Sequence, residues 1–386
     1  MQIAMILLLA AFTLLAAPNA LTPKEVQDGW MLLFDGETLF GWTPEGGTKW
    51  RVAGGAIVAD AGESGWLRSD SQFADFILRV EFRTRKDGNS GIFLRSAKEG
   101  RPHETGYELQ IWDKHEKFPT GSLVNIARAR PVTLKPDVWH QYEVFALGNS
   151  ILIKLDGKKV LEVRDSWSHI GHFGLQYNKD NKVEFRDIRL RPMGLAPLCN
   201  GKNLNGWQEV KAPKPPKEPP VWGVRKGSIH VEKGPGQLES KNLFDDFILQ
   251  LDVRANSSDP NRHPNSGVFF RGTPGGHWSG YESQIRNEYK DGDRTKAVDF
   301  GTGGIYRYQA ARKVVPNDNE FFTKTIVACG RHMATWVNGY PVSNWEDTNA
   351  EGLKAGPIGL QAHDPTTNLD FRNIRAQSLK RAERKQ

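Results

Sequence analysis

The chain repeats itself, and whatever it folds into must be built twice. Leu33-Phe34-Asp35-Gly36 through Gly41-Trp42 lies over Leu198-Cys199-Asn200-Gly201 through Gly206-Trp207. Phe73-Ala74-Asp75-Phe76-Ile77-Leu78 then matches Phe244-Asp245-Asp246-Phe247-Ile248-Leu249, and Asn89-Ser90-Gly91 through Arg95 matches Asn265-Ser266-Gly267 through Arg271. Gly106-Tyr107-Glu108-Leu109-Gln110-Ile111 matches Gly280-Tyr281-Glu282-Ser283-Gln284-Ile285. Near the ends, Gly174-Leu175-Gln176 matches Gly359-Leu360-Gln361, and Phe185-Arg186-Asp187-Ile188 matches Phe371-Arg372-Asn373-Ile374. The separation between matched blocks grows along the chain, so the second copy carries insertions. One is the Pro-rich stretch 211–220, which the repeat places inside the second copy, between Trp207 and Trp222, as an extended surface loop.

A length of 386 residues lets each copy bury a core of its own. With 12 Trp and 19 Phe the chain is not of disordered composition. The repeat sets the division: a leader at 1–20, a first domain at 21–193, a second at 194–379 and a basic tail at 380–386. The leader is read from the apolar run Ile3–Leu15 followed by Ala16, Ala17 and Ala20. It predicts export to the periplasm or outside the cell, with a cut after Ala17 or Ala20. The run is short for a bilayer span, so no membrane span is expected in the mature protein. The net charge of +7 lies partly in the tail and accompanies no nucleic-acid motif, so it reads as solvated surface. Cys199 and Cys329 could pair after export or remain buried thiols.

Between the matched blocks the pattern has period two. Phe76 to Arg83 alternates apolar and polar, and Ile151–Lys158 and Met333–Tyr340 read as strand and hairpin with Asp-Gly and Asn-Gly corners. No long helical pattern follows the leader. The expected class is all-β, a sandwich in each copy.

These blocks resemble the domain of unknown function 1080 family, associated with 3-keto-disaccharide hydrolase, or 3-keto-glucoside lyase and hydratase, activity. Both copies carry the opening Gly-Trp motif, Asn-Ser-Gly with its Arg, Gly-Tyr-Glu-x-Gln-Ile, and the closing Gly-Leu-Gln and Phe-Arg blocks. The resemblance implies two tandem concanavalin A-like lectin/glucanase jelly rolls and a sugar or glycoside ligand. It also implies a separate sugar 3-dehydrogenase acting upstream.

Side chains alternate along a strand, so Glu108, Gln110 and Trp112 share one side, and Glu282, Gln284, Arg286 and Glu288 another. A carboxylate, an amide and an aromatic on one face suit a sugar, although an exposed polar sheet face would look the same. Asn-Ser-Gly reads as a turn that needs small residues. Arg95 and Arg271 could reach a sugar oxygen or pair with the nearby glutamate, while Arg186 and Arg372 read as braces. His103 and His115 flank the Glu108 strand, and His263 and His277 precede the Glu282 strand; each could serve as acid or base or be plain surface. No cluster has metal-ligand spacing, although a divalent cation held by carbonyls would leave no trace in sequence.

A retaining glycosidase needs two carboxyl groups about 5–5.5 Å apart. The residue two along from each glutamate, about 6.6 Å away on a strand, is a glutamine. A 3-keto sugar needs one base for the C2 hydrogen, a donor for the enolate oxygen and an acid for the leaving group. The expected base is Glu108 or Glu282 and the expected acid His115 or His277. Arg95, Gln110, Trp112, Arg271, Gln284 and Arg286 would bind substrate. A non-catalytic lectin-like module and a glucanase-type hydrolase are the rival functions. The Gly303-Gly304-Ile305-Tyr306 loop fits the family pattern more closely than Gly121-Ser122-Leu123-Val124, which tilts the expectation toward the second copy.

Overall fold

The computed structural model describes residues 17–349 and 354–379; the apolar run Ile3–Leu15 and the tail 380–386 lie outside the described residues. In the second copy, Trp207–Val210, Gly236–Phe244, Gly356–Ala362, Ser266–Phe270 and Tyr281–Ile285 pair in that order as a five-stranded antiparallel sheet. Behind it lies an eight-stranded sheet whose middle is Asn368–Ser378, Phe247–Ala255, Phe322–Cys329 and His332–Val337. Leu238, Val268, Ile285 and Leu360 from the first sheet share a core with Ile229, Leu251, Ile326 and Phe371 from the second. The copy is therefore the jelly-roll sandwich its alternation predicts.

The first copy repeats this with one difference of connectivity. Its strand Ala56–Phe73 is long enough to serve both layers: Ile57 pairs with Phe185 at one end, and Leu67 with Leu175 at the other. All eleven strands are thereby hydrogen-bonded into one network. In the second copy the same path is cut into Ser228–Glu232 and Gly236–Phe244, so the layers separate. The Pro-rich stretch 211–220 joins Trp207–Val210 to Val221–Arg225 within the second copy.

The two copies are packed together through apolar surface. Ile248, Val327, Ala334 and Trp336 from the second copy lie in the same cluster as Met31, Leu33 and Leu190 of the first. The Trp336 indole donates to Leu32 O at 2.7 Å, and Leu32 N donates to Gly339 O at 2.8 Å. This contact alters the expected alternation. Phe76–Thr84 alternates between buried and half-buried, whereas Phe247–Leu251 of the matching strand is buried on both faces because the first copy covers its outer side. Cys199 packs on the second copy's core while Cys329 belongs to the shared cluster.

Asn-Ser-Gly is not a turn. Ser90–Ser96 and Ser266–Phe270 are strands, and Gly91 and Gly267 sit inside them. The arginines that close these strands are buried and point away from the glutamates. Arg271, at φ +55°, donates to Asp245 O at 2.8 Å, to Gly330 O at 2.6 Å and to Asp246 Oδ1 at 2.7 Å. Arg95, at φ +53°, makes the same set with Ala74 O, Gly148 O and Asp75. Each guanidinium ties a strand end to two turns, so the expectation that Arg95 and Arg271 bind substrate is corrected. Deleting a buried donor strands its acceptors. Arg271→Met should therefore lower unfolding free energy by about 2–4 kcal/mol in denaturant titration. A variant of wild-type stability with impaired ligand binding would restore the substrate-binding assignment.

Candidate active site

The Glu282 strand is an edge strand. One side pairs with Ser266–Phe270, with Phe269 opposite Glu282 and Gly267 opposite Gln284. The other is closed by the loop 299–309: Tyr306 N donates to Glu282 O at 2.9 Å, and Gln284 N to Gly304 O at 2.9 Å. Ser283 and Ile285 point into the core, while Glu282 and Gln284 face a cleft of about 220 Å³. Phe269, Trp278, Tyr306, Arg307, Gln361 and His363 are among its other lining residues.

Glu282 is only 9% exposed. Burial pushes its carboxyl up to about 8; Asp299 adds to the rise, while Lys324 and Arg307 oppose it. The floor beneath it is cleared by a missing side chain, since a Cβ at Gly267 would lie 2.6 Å from Glu282 Cγ and Cδ. That close approach is why glycine stands in this strand.

Lys324 lies behind the strand, on its core side. Its ammonium is buried and donates to Ser283 O at 2.7 Å and Gln284 O at 2.8 Å. Burial pulls it down to about 7, against the pull of Glu282. The sheet register sets Lys324 where the first copy has Tyr142, since Phe247 pairs with Ala328 as Phe76 pairs with Ala146. Tyr142 does the same structural work with a neutral group, donating to Gln110 O at 2.7 Å. The two sites thus share a scaffold and differ by a buried charge.

The loop carries the second difference. Arg307 has φ +68°, a conformation that costs a residue with a Cβ roughly 1–2 kcal/mol. The matching tip in the first copy is Asn125 at φ +63°, and asparagine tolerates that region. Asp299 and Phe300 are also left-handed, at +49° and +66°. Strain of this kind collects where a side chain must be aimed. Here it puts the Arg307 guanidinium on the cleft, close enough to Glu282 to lower its carboxyl.

Of the expected residues in the second copy, Glu282 and Gln284 come together. Gln284 Nε2 donates to Asp299 O at 3.0 Å and to Asp299 Oδ2 at 3.1 Å. Arg286 does not join them: the strand ends at Ile285, and its guanidinium bonds Glu288 and His263 O. His277 stacks on Trp278, 4.6 Å between ring centres, and is not a lining residue of the cleft. His363 takes that place. It stacks on Trp278 at 5.5 Å, with Nε2 3.3 Å from Asn265 Nδ2 and Nδ1 3.1 Å from Asp364 Oδ2. Arg307 and His363 escape the sequence reading because one lies in a loop and one beyond the Gly-Leu-Gln block, and Tyr306 enters it only as the end of the Gly303–Tyr306 loop and not as a site residue. The repeat held the usable signal, since these positions are Asn125, Asn178 and Val124 in the first copy.

In the first copy Glu108 is 8% exposed and its carboxyl is raised by burial. Gln176 Nε2 donates to it at 2.9 Å, Asn178 donates to Gln176 at 3.0 Å, and the charges of His103 and His115 also favour its ionised form. Neither glutamate therefore belongs to an exposed polar face. Gln110 is buried, its Oε1 accepting from Ile111 N. Trp112 lies past the strand end and meets His115 edge-on at 5.1 Å. Among the described residues, no three His, Cys, Asp or Glu side chains are grouped as a metal-ligand set.

The profile of the 3-keto-alpha-glucoside-1,2-lyase-like domain matches residues 29–191 and again 194–377. A 3-keto-disaccharide hydrolase of Bacteroides thetaiotaomicron is 24% identical over 228 residues, 42% of this chain and 78% of its own length. A candidate glycosyl hydrolase from Parabacteroides distasonis ATCC 8503 aligns at 21% identity over 46% of this chain and 100% of its own, with a TM-score of 0.41. A carbohydrate-binding module from Bacillus subtilis aligns at 22% over 39% of this chain and 95% of its own, with a TM-score of 0.33. The chain belongs to the 3-keto-alpha-glucoside-1,2-lyase-like domain family, of which it carries two copies in tandem.

Proposed function

We propose that the protein cleaves 3-keto-glycosides at the glycosidic bond and that its second copy is the catalytic one. The observation that carries this is Glu282, a buried carboxylate on a cleft it shares with the strained Arg307. A ketone at C3 acidifies the hydrogen at C2. Glu282 takes that proton, and the electron pair moves into a C2–C3 enolate whose oxygen faces Arg307. Collapse of the enolate breaks the C1–O bond and leaves a double bond between C1 and C2. His363, its ring oriented by Asp364, protonates the departing oxygen. Water added at C1, with a proton returned to C2, completes a net hydrolysis. The substrate must come from a separate dehydrogenase that oxidises a C3 hydroxyl. The first copy, with Asn125 where Arg307 stands, binds or supports rather than cleaves.

Asp299 favours a second reading. Its Oδ2, held by Gln284 and Asn265 at 3.1 Å each, brings a second carboxylate near Glu282 from the loop. Two carboxylates are what a glycosidase acting on unoxidised sugars requires. Incubation with a 3-keto-glucoside and with its unoxidised parent separates the two, since aglycone release from the parent alone would favour the glycosidase.

On the 3-keto-glucoside, Glu282→Gln should cost about 10²–10⁴ in kcat, while Glu108→Gln should cost far less. The base must be ionised to act, and burial raises its carboxyl. The kcat/KM profile should therefore climb with pH through a limb near 8, where an exposed carboxylate would give a limb near 4.5. Full activity in Glu282→Gln with unchanged melting removes this glutamate from the mechanism.

Lys324→Met removes a group whose charged form lowers the Glu282 carboxyl. The expected result is a limb displaced to higher pH and slower turnover at neutrality. A variant with the wild-type limb shows that Lys324 only anchors the strand.

We also propose export with cleavage after Ala17. Asn19 Nδ2 donates to Gly55 O at 2.9 Å, and Asn19 Oδ1 accepts from Asp187 N at 2.8 Å. A cut after Ala20 would discard that stitch. N-terminal sequencing of the exported protein should begin at Pro18, and soluble cytoplasmic protein retaining Met1 would refute export.

A further inference from the structure

The rim of the Glu282 cleft carries an aromatic stack that the chemistry at C1 to C3 leaves unused. Tyr308 is 54% exposed although it lines the cleft. One face of its ring rests on Trp345, 4.5 Å between centres and 27° between planes. Tyr281 flanks both rings at 5.9 and 6.0 Å and hydrogen-bonds Asp347 through its hydroxyl. The loop that presents Tyr308 is held closed by reciprocal hydrogen bonds between Ile305 and Gln309, at 2.8 and 2.9 Å. An aromatic ring supported on one face and open on the other is a rigid apolar surface that keeps little rotamer freedom to lose on binding.

The first copy shows what the scaffold alone requires. Its matching loop, closed by Leu123 and Ala127, presents Ile126 in place of Tyr308. In place of Trp345 it has Val163, since Met333 pairs with Trp345 as Ile151 pairs with Val163. Both loops fold to the same bridge, so neither aromatic is needed to build it. The pair occurs in the copy that also has the buried lysine and the arginine on the cleft.

We propose that Tyr308, backed by Trp345, is the subsite for the leaving group, and that it accepts a ring with a flat apolar face. A pyranose presents such a face through its axial C–H bonds, and an aryl aglycone through its π surface. The subsite rests on the assignment of catalysis to Glu282, and it makes the enzyme prefer a 3-keto-disaccharide or an aryl 3-keto-glucoside to a methyl 3-keto-glucoside. Tyr308 touches only the departing ring, so its contribution falls on KM for substrates that have one.

The test compares wild type with Tyr308→Ile, the residue the first copy carries in the same loop, and with Tyr308→Phe. Three substrates are assayed: methyl 3-keto-glucoside, phenyl 3-keto-glucoside and a glucosyl 3-keto-glucoside. The ratio of kcat/KM on the glucosyl substrate to that on the methyl substrate should drop roughly 5- to 10-fold in Tyr308→Ile, through KM, and recover in Tyr308→Phe. The phenyl substrate tells the two ring sources apart: a parallel drop means the platform takes any flat ring, and no drop means it reads the sugar. An unchanged glucosyl-to-methyl ratio overturns the proposal. Saturation-transfer NMR with maltose, which needs no turnover, covers the case in which no 3-keto substrate is cleaved. Loss of transfer to one maltose ring in Tyr308→Ile supports the platform even then, and equal transfer in both proteins overturns it.

Discussion

The candidate site depends on an edge strand that has to be held from three directions. A strand at the edge of a sheet has unpaired backbone groups and no neighbour to fix its position. Tyr281–Ile285 gains one neighbour in Ser266–Phe270 and another in the loop 299–309, and Lys324 reaches two of its carbonyls from the core. With the backbone fixed, alternation does the rest. Ser283 and Ile285 fill the core, and Glu282 and Gln284 have nowhere to go but the cleft. Gly267 then clears the floor so that the carboxylate can lie low, out of water, where its proton affinity rises.

Duplication shows what the second copy changes on a shared scaffold. Where the first copy anchors its strand with Tyr142, a neutral phenol, the second buries an ammonium. Where the first turns its loop with Asn125, which suits a left-handed backbone, the second uses Arg307, which does not. Each change is less favourable for folding than the residue it is compared with, because a buried amine is costlier to desolvate than a phenol and a left-handed backbone suits asparagine better than arginine. Both bring positive charge to the neighbourhood of one carboxylate.

The interface between copies supplies the remaining constraint. Trp336, Val327 and Ile248 would be exposed on an isolated second copy, and the first copy covers them. The eight-stranded sheet is consequently buried on both sides over part of its width, while the five-stranded sheet keeps an outer face that carries the Glu282 cleft. Arg95 and Arg271 belong to this framework, since they lock the ends of the strands beside the glutamates to neighbouring turns.

By itself the sequence determined the duplication, the all-β class, the alternation along Phe76–Thr84 and the presence of a glutamate and a glutamine on one face of a strand. These are local or self-referential properties: a period of two, or a match between two segments, needs no knowledge of what lies across the fold. Tertiary structure decided which polar residues meet. Arg271 looked available because its strand neighbours the glutamate, but its left-handed backbone turns the side chain toward Asp246. His277 reads as a rim acid but stacks on Trp278 without lining the cleft, and Arg286 lies past the strand end and outside the cleft. Arg307, His363 and Lys324 came from a loop, a distant strand end and the opposite sheet. Their relation to Glu282 is set by strand order and loop closure. Hydrophobic periodicity records which side of a strand is buried, and it carries no information about which other strand lies beneath.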